Sequence, residues 1–177
     1  MATGITRPPR GTDRLPEQSL GPALAARLAG KPADGSALLP QPTGAPLQKV
    51  IWVDGGDEVL VHLDSVRARV LNRSVLISID LETDQTGRTP LVVVFATGAA
   101  NDPAGLVAVT DELPRGNPVL AGRWGPIVRS AVWSALLAIA ADFAAKYKLA
   151  PRAISATPGV LVFLAGAPLT VIAGVIR

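Results

Sequence analysis

Between Ser78 and Asp84 the chain alternates polar and apolar side chains: Ser78, Asp80, Glu82 and Asp84 against Ile79 and Leu81. On an extended strand the polar set shares one face, with next-but-one side chains about 7 Å apart. Two carboxylates at that spacing suit an oxygen-liganded divalent cation, or flank a glycosidic bond. A carboxylic acid of that second kind needs a raised pKa, hence a dry cleft with aromatic walls, and the neighbouring sequence supplies none. The same alternation describes a solvent-facing sheet surface on which Arg67, a diagonal neighbour, neutralises Asp80. The residues favour that plainer reading; a metal-dependent enzyme using Asp80, Glu82 and Asp84 is the alternative.

His62 is the single histidine and there is no cysteine. Nucleophilic catalysis through a Ser-His-Asp set would have to use His62, yet the residue lies in mid-strand and no Gly-x-Ser-x-Gly elbow occurs. A zinc site would need three carboxylates beside it, and a disulfide framework or thiol chemistry is excluded. The glycine-containing loop Ala96 to Gly105 follows a strand but lacks the Gly-Lys-Ser/Thr ending of a phosphate loop. No cofactor is expected.

Thirteen Arg and four Lys against 14 acidic residues leave a formal net charge of +3. The densest basic group is Arg7, Arg10 and Arg14, diluted by Asp13 and Glu17. That is a weak basic arm, able to touch a nucleic acid or a membrane surface but unlike a polyanion-binding tract. Aromatic content of 4% supplies few platforms for base stacking. No apolar run follows the first charges, so a secretory signal is not expected and cytoplasmic synthesis is.

A chain of 177 residues, 49% hydrophobic, is long enough for one sizeable core built from Val, Leu, Ile and Ala. Eight of the 16 prolines fall within residues 1–48, a density that interrupts helix and sheet. Residues 1–48 therefore read as an extended arm, and residues 49–177 as one α+β domain. Inside the arm a short helix is predicted over 22–29, with Pro22 at its first position and Leu20, Leu24 and Leu28 recurring every four residues. Two turns of helix cannot stand alone in water, so those leucines need a surface to dock on.

From Lys49 the period becomes two. Lys49 to His62 reads as a hairpin about Gly55-Gly56, with Trp52 opposite Val59 and Val50 opposite Val61. The buried phase then moves from Val59, Val61 and Leu63 to Val66, Ala68 and Val70, which demands a bulge near Asp64 and Ser65. A two-residue turn at Asn72-Arg73 sets Val70 against Val75 and Ala68 against Ile77. Pro90 to Thr97 reads as a central strand and Gly105 to Thr110 as a short one. Residues 125–148 carry one long helix with Pro126 at its start, its apolar stripe running from Val128 to Tyr147, and an Asp142–Lys146 pair on the wet edge. The 24 residues 153–176 carry no charge, but Pro158, Gly159, Gly166, Pro168 and Gly174 break them to strand length. They read as a buried hairpin joined at Gly166-Ala167 in preference to a membrane span.

The expected architecture is thus a mainly antiparallel, twisted sheet of about six to eight strands on one long helix, with a proline-rich amino-terminal arm. The expected role is a non-enzymatic assembly subunit whose arm docks on protein neighbours, of the same or another kind, through Ile5, Leu15, Leu20, Leu24 and Leu28, as in phage virions or tail-like particles.

Overall fold

The computed structural model describes residues 10–29, 37–38, 48–99, 101–110 and 112–167. It is a mixed α+β structure with antiparallel sheets and a long helix. A meander of β3 (Lys49–Asp54), β4 (Asp57–Leu71), β5 (Ser74–Thr83) and β6 (Gly87–Ala96) forms the centre of the main sheet. Two-residue strands flank it, β2 (Ala37–Leu38) beside β3 and β9 (Arg115–Gly116) beside β6. A second sheet has the order β1 (Arg10–Pro16), β11 (Val160–Gly166), β10 (Ala150–Thr157), and a small ladder joins β7 (Gly98–Ala99) to β8 (Asp102–Pro103). The strands expected in one sheet therefore divide between two.

The register follows the side-chain alternation. Trp52 pairs with Val59 and Val50 with Val61 across a Gly55-Gly56 turn whose two residues take φ of +57° and +89°, the type I′ geometry that only glycine adopts without strain. Val70 pairs with Val75 and Ala68 with Ile77. The expected irregularity is present: the β4–β5 ladder shifts between His62 and Arg67, five steps on one strand against two on the other. Ser65 bridges the gap, its Oγ accepting from the Asp80 amide at 2.7 Å and donating to the His62 carbonyl at 2.6 Å.

The amino-terminal segment differs from the expected arm. Residues 10–16 are β1, paired along their whole length with β11. Helix α1 (Glu17–Leu28) buries Leu20, Leu24 and Leu28 at 0–2% exposure, and they belong to the same core as Trp52, Phe95 and Phe163. The expected docking residues are thus this domain's own core, with Leu15 packed beside it. The predicted start at Pro22 was too late. The Glu17 amide donates to the Gly159 carbonyl at 2.9 Å and the Glu17 carboxylate accepts from the Val70 amide at 2.7 Å, so contacts distant in sequence begin the helix where Pro16 offers no side-chain cap. Gly21 lets α1 approach β4: a Cβ there would meet the Val66 carbonyl at 2.8 Å. Ile5 and Arg7 lie outside the described residues, as do 168–177, so the Gly166-Ala167 hairpin falls partly there. Within the described residues β11 turns back on β10 through Pro158-Gly159, with Gly159 at φ +78°.

Helix α2 (Pro118–Lys146) begins eight residues before Pro126. The Asn117 side chain caps it by accepting from the Val119 amide at 2.9 Å, and Pro118 sits at a first-turn position where its missing N–H costs nothing. Pro126 is inside the helix. Lys148, at φ 55°, turns the chain out at the other end. Of the predicted stripe, Val128, Val132, Ala135, Leu136 and Phe143 are buried, whereas Tyr147 is 63% exposed. Asp142 pairs with Arg27 of α1 in place of Lys146. α2 is long and apolar enough to cross a membrane by length and composition alone, but half of its most apolar 18-residue window is buried inside the protein, as in a core helix. It packs on β6, β10 and β11.

Candidate interaction surface

The acidic strand face is occupied by the protein's own side chains. Arg88 Nε donates to Asp80 Oδ2 at 2.8 Å, and this bond, with the surrounding carboxylates, holds the guanidinium pKa above its ordinary value. The cation is Arg88 and not Arg67, whose guanidinium donates to the Asp64 and Val66 carbonyls. Glu82 Oε2 lies 2.6 Å from His62 Nε2. This His–Glu pair was missed by sequence reasoning because the ladder shift sets Asp80 opposite His62 and Glu82 opposite Leu60; following the register through the bulge would have found it. The His62 side chain is 2% exposed, and its Nδ1, like Trp52 Nε1 and Ser155 Oγ, is buried with no hydrogen-bond partner among the described residues. It offers no nitrogen to a ligand in solvent. Asp84 does not join the other two carboxylates; it lies in the turn after β5. Among the described residues no three His, Asp or Glu side chains stand close enough to share a metal ion.

Asp84 instead rims an open pocket of about 350 Å³ at the amino end of α2. The walls come from the β3–β4 hairpin tip (Asp57, Glu58), the turn after β5 and the first turns of α2 (Val119, Trp124). Arg123 spans one side. Its Nε reaches Asp57 at 2.8 Å and its Nη2 reaches Asp54 at 2.7 Å, while its guanidinium carbon stands 4.9 Å from the Trp124 ring centre. Bonds to Asp57 and then Asp54 raise its pKa above the usual value. Glu58 and Asp84 have no ion-pair partner among the described residues.

Away from the pocket, along β6 toward Ala96, lie residues 105–110 and 112–114. They are held against α2 at two points: Pro114 abuts Gly125, where a Cβ would come within 2.7 Å, and the Thr110 carbonyl accepts from Arg129 at 3.0 Å. The expected strand over 105–110 reduces to a single bridge, Val109 to Ala96. Because Leu106 and Ala108 pack on the core, their alternating neighbours point outward: Val107 is 68% exposed, Val109 47%, and beyond them Leu113 83% and Val119 56%. Scattered exposed apolar residues are ordinary on protein surfaces; of these four, Val119 stands next to the unpaired carboxylates in the pocket lining, where an apolar centre meets a charged rim.

Of the basic arm, Arg10 and Arg14 are exposed on β1, the free edge of the second sheet, with Asp13 between them. Charges and Pro16 on such an edge discourage further strand pairing. No family model matches this chain, and no curated protein or solved structure matches it either.

Proposed function

We propose that this chain is a non-enzymatic subunit of a larger protein assembly and that it meets its partner at the amino end of α2. The observation carrying this reading is the amino end of α2, where mostly exposed Val119 stands in a pocket rimmed by Glu58 and Asp84, neither of them ion-paired among the described residues. An apolar centre with a charged rim is the composition of a protein-binding patch. Leu20, Leu24 and Leu28 serve this domain's own core and are not available to a partner. The paired state of Asp80 and Glu82 weighs against the carboxylate-enzyme alternative, since a bound cation would have to displace Arg88 and His62.

Carbodiimide treatment, which joins a carboxylate to a touching lysine, tests it in an extract of the cells that make the protein. The expected product is a covalent adduct to a protein through Glu58 or Asp84, weakened when Val119 is changed to Ser. An adduct pattern indifferent to that change would count against the surface.

A further inference from the structure

We infer that the partner is a second copy of this chain, met pole to pole, the acidic amino end of α2 in one molecule seated against the basic carboxyl end of α2 in the next. This rests on the assembly reading above and specifies its partner. The 29 residues of α2 hold its ends about 43 Å apart, and the two ends carry opposite charge. At the amino end stand Asp57, Glu58 and Asp84, with Arg123 in the same lining bonded to Asp57 and Asp54.

The carboxyl end is basic for reasons of topology. Strand β1 runs beside it: Gly11 is in contact range of Phe143 and Leu149, and Arg10 pairs with Gly166, itself paired with Ala150. Exposed Arg10, Lys146 and Lys148 are thereby brought together, with Arg152 lying over Gly166. Asp142, the carboxylate at that end, is taken by Arg27. The helix macrodipole opposes this arrangement with about half a charge at each end, too little to cancel it.

Complementary poles steer association and set its orientation, and exposed Val119 beside the acidic pole adds apolar area to bury. Two acidic poles repel, as do two basic ones, so an end-to-end pair joined through like poles is disfavoured. The contact joins unlike surfaces and propagates as a ring or an open row.

Sedimentation velocity on the full chain, over a range of concentrations in low and in high salt, tests it. The low-salt mass is expected to rise with concentration and to fall back in high salt. The double variant Glu58→Lys, Asp84→Lys and the double variant Arg10→Glu, Lys146→Glu should each weaken association about tenfold or more, with circular dichroism unchanged because all four residues are at the surface. Mixed in equal amounts, the two variants should associate again, since one then has two basic poles and the other two acidic ones. Self-association indifferent to both reversals, or a mixture that stays monomeric, overturns the pole-to-pole contact while leaving the assembly reading in place. A wild-type chain monomeric at every concentration also overturns it, and carbodiimide adducts to a different protein would then keep the assembly reading alive. Binding of a short DNA duplex that is lost in Arg10→Glu, Lys146→Glu, without self-association, would assign the basic pole to a polyanion and overturn the inference as well.

Discussion

Two apolar sets, the leucines of α1 and the loop residues Val107, Val109 and Leu113, exchange the roles their sequences suggest. Leu20, Leu24 and Leu28 lie in the proline-rich quarter of the chain and are sealed in the core; the loop residues lie among strand-like neighbours and face solvent. The difference is periodicity against partners. Spacing of four puts all three leucines on one side of a helix, where they bury together. Val107 and Val109 occupy the outward phase of a short extended segment whose inward phase, Leu106 and Ala108, takes the available core. Proline density measures where regular structure is interrupted, and apolar phase measures where the chain is covered; here the second decides.

The contrast breaks most visibly at Leu24. Leu24→Ala should cost about 3 kcal/mol, read as a lower urea midpoint, whereas a freely docking arm would tolerate it with no loss. Gly21→Ala is the next test and a sharper one. Alanine is the better helix former by about 0.5–1 kcal/mol, yet its methyl would press on the Val66 carbonyl, rigid backbone that cannot turn aside. A net destabilisation of about 1 kcal/mol is expected, and a stabilised variant would show that α1 sits farther from β4. In the loop, Val107→Ser with Leu113→Ser should move stability by no more than about 0.5 kcal/mol; a loss as large as that of Leu24→Ala would make the loop a core element. Smallest is the Arg27–Asp142 pair, where a double-mutant cycle should give a coupling of about 0.5 kcal/mol, and the same cycle on Asp142 with Lys146 should give none.

Elements whose cues are local could be read in advance. The Gly55-Gly56 and Asn72-Arg73 turns, the pairings around them and the break near Ser65 all follow from alternation within about 30 residues of chain. The start of α1 could not be read that way, because its first amide and first carboxylate find their partners at Gly159 and Val70. The start of α2 was legible in Asn117-Pro118, a capping residue before a first-turn proline, but Pro126 offered a competing signal of the same kind. For the acidic face the alternation of Asp80 and Glu82 was visible and its partners were not: Arg88 reaches it through the β5–β6 hairpin register and His62 through the register left by the β4–β5 ladder shift. The pocket joins a hairpin tip, a turn and a helix start from three parts of the chain, a proximity that no single stretch encodes.

The pairing of β1 with β11 carries a consequence for how this protein is made. Arg10 pairs with Gly166 and Pro16 with Val160, so this strand leaves the ribosome about 150 residues ahead of its partner. It must wait, unpaired, while those residues are made, and the leucines of α1 wait beside it for the fold to close. Its charged sequence, bounded by Pro16, is well matched to that interval, keeping the waiting strand soluble until β11 arrives to receive it.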